Sequence, residues 1–161
     1  MSMYKVSPNV SPKNQTSTSC CWLTCLEMLF EWKNKDSSKI LEKMDASPNL
    51  FPYYMKDNGI APGECKETAK MLGLKWAGDG DFTGEILHGI LKSYGPVWVA
   101  GQWIPGYSHV IVVTGVDKDD GRIKIVNPWK NYDLSESPRT VSWLNERGTV
   151  WKTCPASIMY W

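Results

Sequence analysis

The chain has few of the residues on which metal and phosphate chemistry depend. Its two histidines, His88 and His109, lie 21 positions apart, and its five cysteines form no Cys-x-x-Cys pair. The spacing that zinc ligands need is therefore missing. The 13 glycines are dispersed and form neither a Walker-type nor a dinucleotide-binding pattern. We predict no metal site and no cofactor.

The chain also lacks a large net charge and long apolar segments. The net charge is +1 and no run of five or more lysines and arginines occurs, which argues against a nucleic-acid partner. No stretch approaches the roughly 20 apolar residues that span a bilayer, and the start of the chain lacks the apolar centre of a signal peptide. We expect a soluble protein without a membrane partner.

The cysteines are odd in number, and Cys20, Cys21 and Cys25 crowd one short segment. Adjacent cysteines can pair only with strain. We therefore predict reduced thiols and a protein that acts in a reducing cytosol. Secretion or delivery into a target cell, with a bridge at Cys65 or Cys154, is the alternative.

Length and hydrophobic content predict one folded domain. The chain has 161 residues, of which 42% are hydrophobic, and nine are tryptophans, so residues 1–161 can bury a core as a single domain. Residues 1–14 are rich in Ser, Pro and Asn and predict an extended lead-in.

The first half predicts helices and the second half predicts strands. An i, i+3, i+4 apolar stripe predicts a buried central helix from Cys21 to about Lys33. Further helices are predicted at about 38–44, 64–72 and 83–94, and strands at 97–100, 110–116, 122–126, 140–144 and 157–161. A helical layer that packs on an antiparallel sheet is an α+β architecture.

A hairpin is predicted between the second and third of these strands, where Asp119-Asp120-Gly121 supplies the turn. His109 begins the first strand of this hairpin and Asn127 ends the second. The hairpin would therefore place both side chains toward the same end of the sheet.

The segment from Gln15 to Trp22 carries the strongest functional pattern. Gln15 stands six positions before Cys21-Trp22, which opens the predicted central helix. A thiolate at a helix N-terminus is stabilised by the helix dipole and by unpaired backbone N–H groups, so its pKa falls. A folded-back glutamine amide could donate to the oxygen that becomes negative in a tetrahedral intermediate. The spacing predicts a cysteine nucleophile at Cys21.

Four features occur in the order found in papain-like cysteine peptidases, and the chain resembles that family. They are Gln15, then Cys21-Trp22, then Ser108-His109 before an apolar strand, and then Asn127-Pro128-Trp129. The chain is most similar to small bacterial members, namely the avirulence-protein peptidases and the leader-peptide peptidases of bacteriocin exporters. Those groups commonly use Asp where this chain has Asn127.

The resemblance implies a papain-like fold, with the cysteine-bearing helix packed on an antiparallel sheet, and it implies a role for each motif residue. Cys21 would be the nucleophile and His109 the base. Asn127 would orient the histidine under a shielding Trp129, and Gln15 with the Cys21 N–H would form the oxyanion hole.

Substrate contacts are predicted around the base. The segment from Gly101 to Tyr107, directly before His109, predicts a loop beside the substrate, with an ordinary connector as the alternative. The predicted substrate-binding residues are Trp22, Trp103, Tyr107, Ser108 and Trp129.

Several residues have competing interpretations. Cys20 is the alternative nucleophile, and Cys25, one helical turn beyond Cys21, is a candidate core residue. His88 is interpreted as a packing or surface residue of a helix. Asn127 could instead be a turn former before Pro128, with Asp117 as the alternative acid.

These residues predict a cysteine protease that cleaves a peptide bond through an acyl-enzyme, with a thiolate–imidazolium pair at neutral pH. No stretch before Gln15 resembles an inhibitory prosegment, so we expect a bacterial toxin or effector that an immunity protein restrains over the active-site groove. The alternatives are a leader-peptide peptidase, a peptidoglycan amidase and a non-catalytic papain-fold binding domain.

Overall fold

The computed structural model describes residues 3–16, 20–46, 59–60, 62–77, 82–104, 107–129, 139–147 and 156–161. The helices are α1 (Cys21–Trp32), α2 (Lys39–Asp45), α3 (Cys65–Leu72), α4 (Gly84–Tyr94) and α5 (Val141–Arg147), with a 3₁₀ turn at Pro62–Glu64. The strands are β1 (Tyr4–Lys5), β2 (Lys75–Ala77), β3 (Val97–Ile104), β4 (Tyr107–Val116), β5 (Ile123–Val126) and β6 (Ile158–Tyr160).

The strands form one antiparallel sheet with the order β1-β4-β3-β6-β2, and β5 pairs with β4. The β3–β4 hairpin is its centre, and α1 packs on both of these strands. This arrangement confirms the predicted α+β architecture of a helical layer on an antiparallel sheet.

Helix α1 is the buried central helix that the apolar stripe predicted. Trp22, Leu26 and Leu29 have no exposed surface, because residues spaced by three and four positions share one helix face. Two tryptophans, one in β3 and one directly after β6, also hold the helix: Trp98 Nε1 donates to the Trp22 carbonyl at 3.1 Å, and Trp161 Nε1 donates to the Leu29 carbonyl at 2.9 Å.

The boundaries of α4 follow from its end residues. The Thr83 hydroxyl accepts a hydrogen bond from the Ile86 N–H at 3.1 Å, which satisfies a free N–H group of the first turn. Gly95 ends the helix with φ of 110°, and a Cβ at this position would lie 2.5 Å from the Trp32 ring. A glycine is therefore required both for conformation and for space.

The predicted strand at 140–144 is wrong, because this segment forms α5. Thr140 makes only an isolated bridge to Arg122, and its hydroxyl accepts from the Trp143 N–H at 3.1 Å as a helix cap does. Val141 and Leu144, three positions apart, are both buried. So short an apolar segment fits both the helical period of 3.6 residues and the strand period of two. Its packing in the fold therefore selects the helix.

Two short strands were not predicted. β1 lies within the predicted lead-in, where Tyr4 pairs with Val116, and β2 pairs with β6. Strands of two or three residues are too short for an alternating pattern, so their formation depends on the edge that they meet.

The hairpin between β4 and β5 forms as predicted. Gly121 has φ of 79°, and the Asp117 N–H donates to the Arg122 carbonyl at 2.8 Å. Val112 pairs with Val126, and a bulge interrupts the ladder between Val113 and Gly115.

The predicted loop at Gly101–Tyr107 is instead mostly strand. Its first four residues complete β3, and β4 begins at Tyr107, so His109 is the third residue of β4 rather than a residue at its edge. Positions 105 and 106 lie outside the described residues. The reason for the difference is pairing: Gly101 lies opposite His109 and Ile104 opposite Tyr107, across a register shift.

Candidate active site

Cys21 is the first residue of α1, and only 8% of its surface is exposed. Backbone N–H groups of Val110 and Trp22 hydrogen-bond to its sulfur. Cys20 occupies the N-cap position without a side-chain cap, and its sulfur lies 3.7 Å from the Thr16 hydroxyl. Through the Val110 N–H, Cys21 contacts the strand that carries His109.

Val110 of β4 can receive the helix because β5 ends before reaching it. Continuing the pairing of Val112 with Val126 would put Pro128 opposite Val110, but proline has no N–H to donate. The Pro128 carbonyl instead accepts from the Gln15 N–H at 2.7 Å. The polar backbone groups of Val110 therefore face α1.

Two thiols from successive turns of α1 occupy these groups. The Cys21 sulfur accepts from the Val110 N–H, and the Cys25 Sγ donates to the Val110 carbonyl at 3.4 Å. Both backbone groups are thereby satisfied in the buried interface. The contact places the Cys21 sulfur at the residue that directly follows His109.

His109 and Asn127 are joined as the predicted hairpin required. The His109 Nε2 lies 2.7 Å from the Asn127 Oδ1. The same Oδ1 accepts the Trp129 backbone N–H at 3.1 Å, which identifies that atom as the amide oxygen. A neutral imidazole must then carry its proton on Nε2, and Nδ1 is left as the basic nitrogen.

The histidine lies in a dry environment. It is 3% exposed, and its ring centroid is 6.1 Å from that of the partly buried Trp129. Burial lowers the pKa of His109 below its usual 6.5 and outweighs the Asn127 hydrogen bond, which raises it. The imidazole is therefore neutral at pH 7.

Burial also raises the pKa of the Cys21 thiol to about 11, and this effect exceeds the opposing effect of the Val110 and Trp22 N–H groups. Burial therefore opposes the predicted thiolate–imidazolium pair at both residues. Sequence reasoning counted the helix N-terminus that favours a thiolate, but it could not count the desolvation that disfavours one. Burial favours the neutral thiol and the neutral imidazole in this site.

Gln15 lies beside the loop that carries Asn127 and Trp129, through the bond from its N–H to the Pro128 carbonyl. Residues 17–19, between Gln15 and the nucleophile helix, lie outside the described residues. The oxyanion role of the Gln15 amide stays a prediction.

The predicted substrate-binding residues do not all lie on an accessible surface. Trp22 has no exposed surface and belongs to the core, so its side chain cannot contact a substrate in this structure. Ser108 is exposed next to His109. Trp103 and Tyr107 lie at the tip of the β3–β4 hairpin, and their side chains lie outside the described part of the protein.

The alternative residues lie elsewhere. Asp117 is at the opposite end of β4 from His109, roughly 26 Å away at about 3.3 Å per strand residue, where its Oδ1 accepts from the Asp119 N–H at 3.0 Å. His88 packs edge-on against Tyr4, with ring centroids 5.2 Å apart. Neither residue is placed to orient His109.

Cys25 is buried in the core, as predicted, but sequence reasoning missed its contact beside the site. It has no exposed surface, yet its thiol bonds the strand beside the base. Its spacing of one helical turn from Cys21 was the available signal, because that spacing puts both sulfurs on one helix face.

Among the described residues, no group of three or more His, Cys, Asp or Glu side chains could hold a metal ion. None of the described helices is long and apolar enough to cross a membrane.

Comparison with known proteins supports the chemistry of this geometry. The Peptidase_C70 family, described as papain-like cysteine protease AvrRpt2, matches residues 4–147. No curated protein sequence matches the chain. A crystal structure from Bacillus anthracis, described as a C39-like peptidase, superposes with a TM-score of 0.55 at 15% identity. The superposition covers 98% of this chain and 96% of that one, and it supports the fold. Because the family match extends over most of its length, the chain belongs to the Peptidase_C70 family of papain-like cysteine proteases.

Proposed function

We propose that Cys21, His109 and Asn127 carry out the peptide-bond cleavage, with Gln15 as an oxyanion donor. The observation that supports this most directly is the 2.7 Å contact between His109 Nε2 and Asn127 Oδ1, one residue from the backbone N–H that bonds the Cys21 sulfur. These two contacts support the assignment of Cys21 as the nucleophile, His109 as the base and Asn127 as the group that orients it.

The neutral starting state determines how the first step proceeds. As the Cys21 sulfur attacks the substrate carbonyl carbon, His109 Nδ1 takes the thiol proton, so no thiolate need accumulate. The carbonyl π electrons move to oxygen, where the Cys21 N–H and the Gln15 amide would stabilise the charge.

The second half of the reaction reverses the proton transfer. The oxyanion re-forms the carbonyl, the C–N bond breaks, and His109 gives its proton to the leaving amine. His109 then removes a proton from water, which attacks the thioester and releases the acid and the free thiol. The Asn127 oxygen accepts from Nε2 throughout, and this bond stabilises the imidazolium that forms transiently.

Replacing each of the two adjacent cysteines by alanine tests which of them is the nucleophile. Cys21→Ala should abolish turnover of a protein substrate, because the sulfur at the Val110 N–H, beside His109, is lost. Cys20→Ala should keep most of the activity and is the matched control, since it removes a buried thiol one residue away. Inactive Cys20→Ala beside active Cys21→Ala would move the nucleophile by one residue and remove the role assigned to Gln15.

Replacing the base and its orienting residue should have unequal effects. His109→Ala should lower kcat by roughly 10²–10⁴-fold, as loss of a general base does. Asn127→Ala should lower kcat by about ten-fold, comparable to one hydrogen bond. Because the Asn127 bond raises the pKa of His109, Asn127→Ala should also move the acidic limb of kcat/KM to lower pH.

Asp117→Asn is the control for this pair and should leave the acidic limb unchanged. Full activity of Asn127→Ala, with an unmoved acidic limb, would contradict the orienting role.

Alkylation of the free enzyme tests the protonation state. With the pKa of Cys21 near 11, the rate of iodoacetamide modification at Cys21 should climb continuously from pH 6 to about pH 10, because the thiolate fraction keeps growing. Peptide mass spectrometry separates Cys21 from Cys20 and Cys25. An alkylation rate at Cys21 that does not change between pH 5 and pH 8 would show a preformed thiolate–imidazolium pair. That result would reject the neutral thiol and imidazole.

We further propose that the protease is a bacterial toxin or effector restrained by an immunity protein. Four cysteines that the structure describes, Cys20, Cys21, Cys25 and Cys65, are buried and form no disulfide, which suits action in a reducing cytosol. The family's description names AvrRpt2. A protein that fills the groove between Cys21 and His109 is the most direct restraint, because it blocks substrate entry. Leader-peptide processing is the alternative.

Expression in bacteria tests the effector proposal. Wild-type protein should slow growth and generate new protein N-termini, whereas Cys21→Ala, which removes only the nucleophile, should do neither. Co-expression of a small partner from the same source should restore growth. Harmless expression of wild-type protein with demonstrated turnover would exclude the toxin and favour leader-peptide processing, without affecting the nucleophile assignment.

A further inference from the structure

A second concave site lies where the N-terminal segment crosses β4 and β5. It is a pocket of about 290 Å³. Val6, Val10 and Val126 line it with apolar surface, and Lys5, Asn9, Thr114 and Lys124 contribute polar groups. The two valines of the N-terminal segment are buried, so the apolar part of the pocket is a wall of the folded core.

Strand register places the two lysines on either side of a glycine. Lys5 pairs with Gly115 on one side of β4, and Lys124 pairs with Gly115 on the other. Directly paired residues share a sheet face, so both side chains rise from the same face, roughly 10 Å apart at two strand spacings. A Cβ at Gly115 would lie 2.8 Å from the Tyr4 carbonyl oxygen and 3.4 Å from the Met3 sulfur, so the close approach of β1 requires glycine here.

The two ammonium groups have no acidic partner among the described residues. Lys13, Lys39 and Arg122 all lie within ion-pair distance of a carboxylate, whereas Lys5 and Lys124 form no such pair in the described part of the chain. The described residues that line the pocket include no Asp or Glu. Two unpaired positive charges beside one concavity produce a local potential that attracts anions.

The pocket opens on the sheet face opposite to His109. Val126 pairs with Val112, and strand alternation puts Val112 and His109 on opposite faces, since they are three positions apart in β4. Neither Cys21 nor His109 lines the pocket.

We propose that this pocket binds an anionic ligand, with a carboxylate or phosphate group between Lys5 and Lys124 and an aliphatic portion against Val6, Val10 and Val126. Asn9 and Thr114 supply further hydrogen-bonding groups beside the oxyanion. The site is separate from the proteolytic site, and its existence does not depend on the proposed function.

Amide NMR titrations at low salt test the site with three probes: glutarate, inorganic phosphate, and a blocked Val-Glu-Val peptide. At least one probe should give saturable shifts at Asn9, Thr114 and Lys124. Lys5→Gln and Lys124→Gln should each weaken that probe roughly three- to five-fold, as expected for loss of one partly exposed ion pair. Lys66→Gln, which removes an exposed lysine of α3 outside the pocket, should leave the affinity unchanged.

The three probes also separate the sources of the anion. Tightest binding of glutarate, phosphate or the peptide would support a small carboxylate, a phosphate-bearing ligand or an acidic polypeptide segment, respectively. Cys21→Ala should bind the preferred probe as tightly as wild type. The proposal is overturned if no probe saturates, if Lys66→Gln weakens binding as much as Lys5→Gln, or if the shifts centre on His109.

Discussion

The active site depends on the contact between the first turns of α1 and a single residue of β4. The helix carries the thiol, the strand carries the imidazole, and the two belong to layers that are far apart in sequence. The Val110 backbone N–H and carbonyl hold the Cys21 and Cys25 sulfurs. A helix that buries its apolar face could still slide along a sheet, whereas two directional contacts to one residue define its position.

A proline makes that contact available. Had β5 continued with a residue able to donate, its backbone would compete with α1 for the polar groups of Val110. Pro128 cannot donate, and its carbonyl is used by Gln15. The interruption of one ladder thus exposes strand backbone to the nucleophile helix, and it also releases Asn127 to turn its amide oxygen toward His109.

The same burial that positions the pair sets its electrostatics. A dry site disfavours both the thiolate and the imidazolium, which raises the pKa of Cys21 and lowers that of His109. The charges would then appear only during attack, when the substrate oxygen develops its own charge near backbone and amide donors. Interactions made only at that stage accelerate the chemical step.

The sequence by itself determined the elements whose signals are local. The stripe of α1, the Thr83 and Gly95 ends of α4 and the Asp-Asp-Gly turn are each specified within a few residues, and the turn was enough to predict that His109 and Asn127 lie toward the same end of the sheet. Tertiary structure decided the rest. Segment 140–144 became a helix and Tyr4–Lys5 a strand because short segments take the conformation that their neighbours stabilise. The role of Cys25, the burial of Trp22 and the protonation state of Cys21 were likewise decided in the fold, because desolvation and contacts between distant residues exist only once the layers have packed.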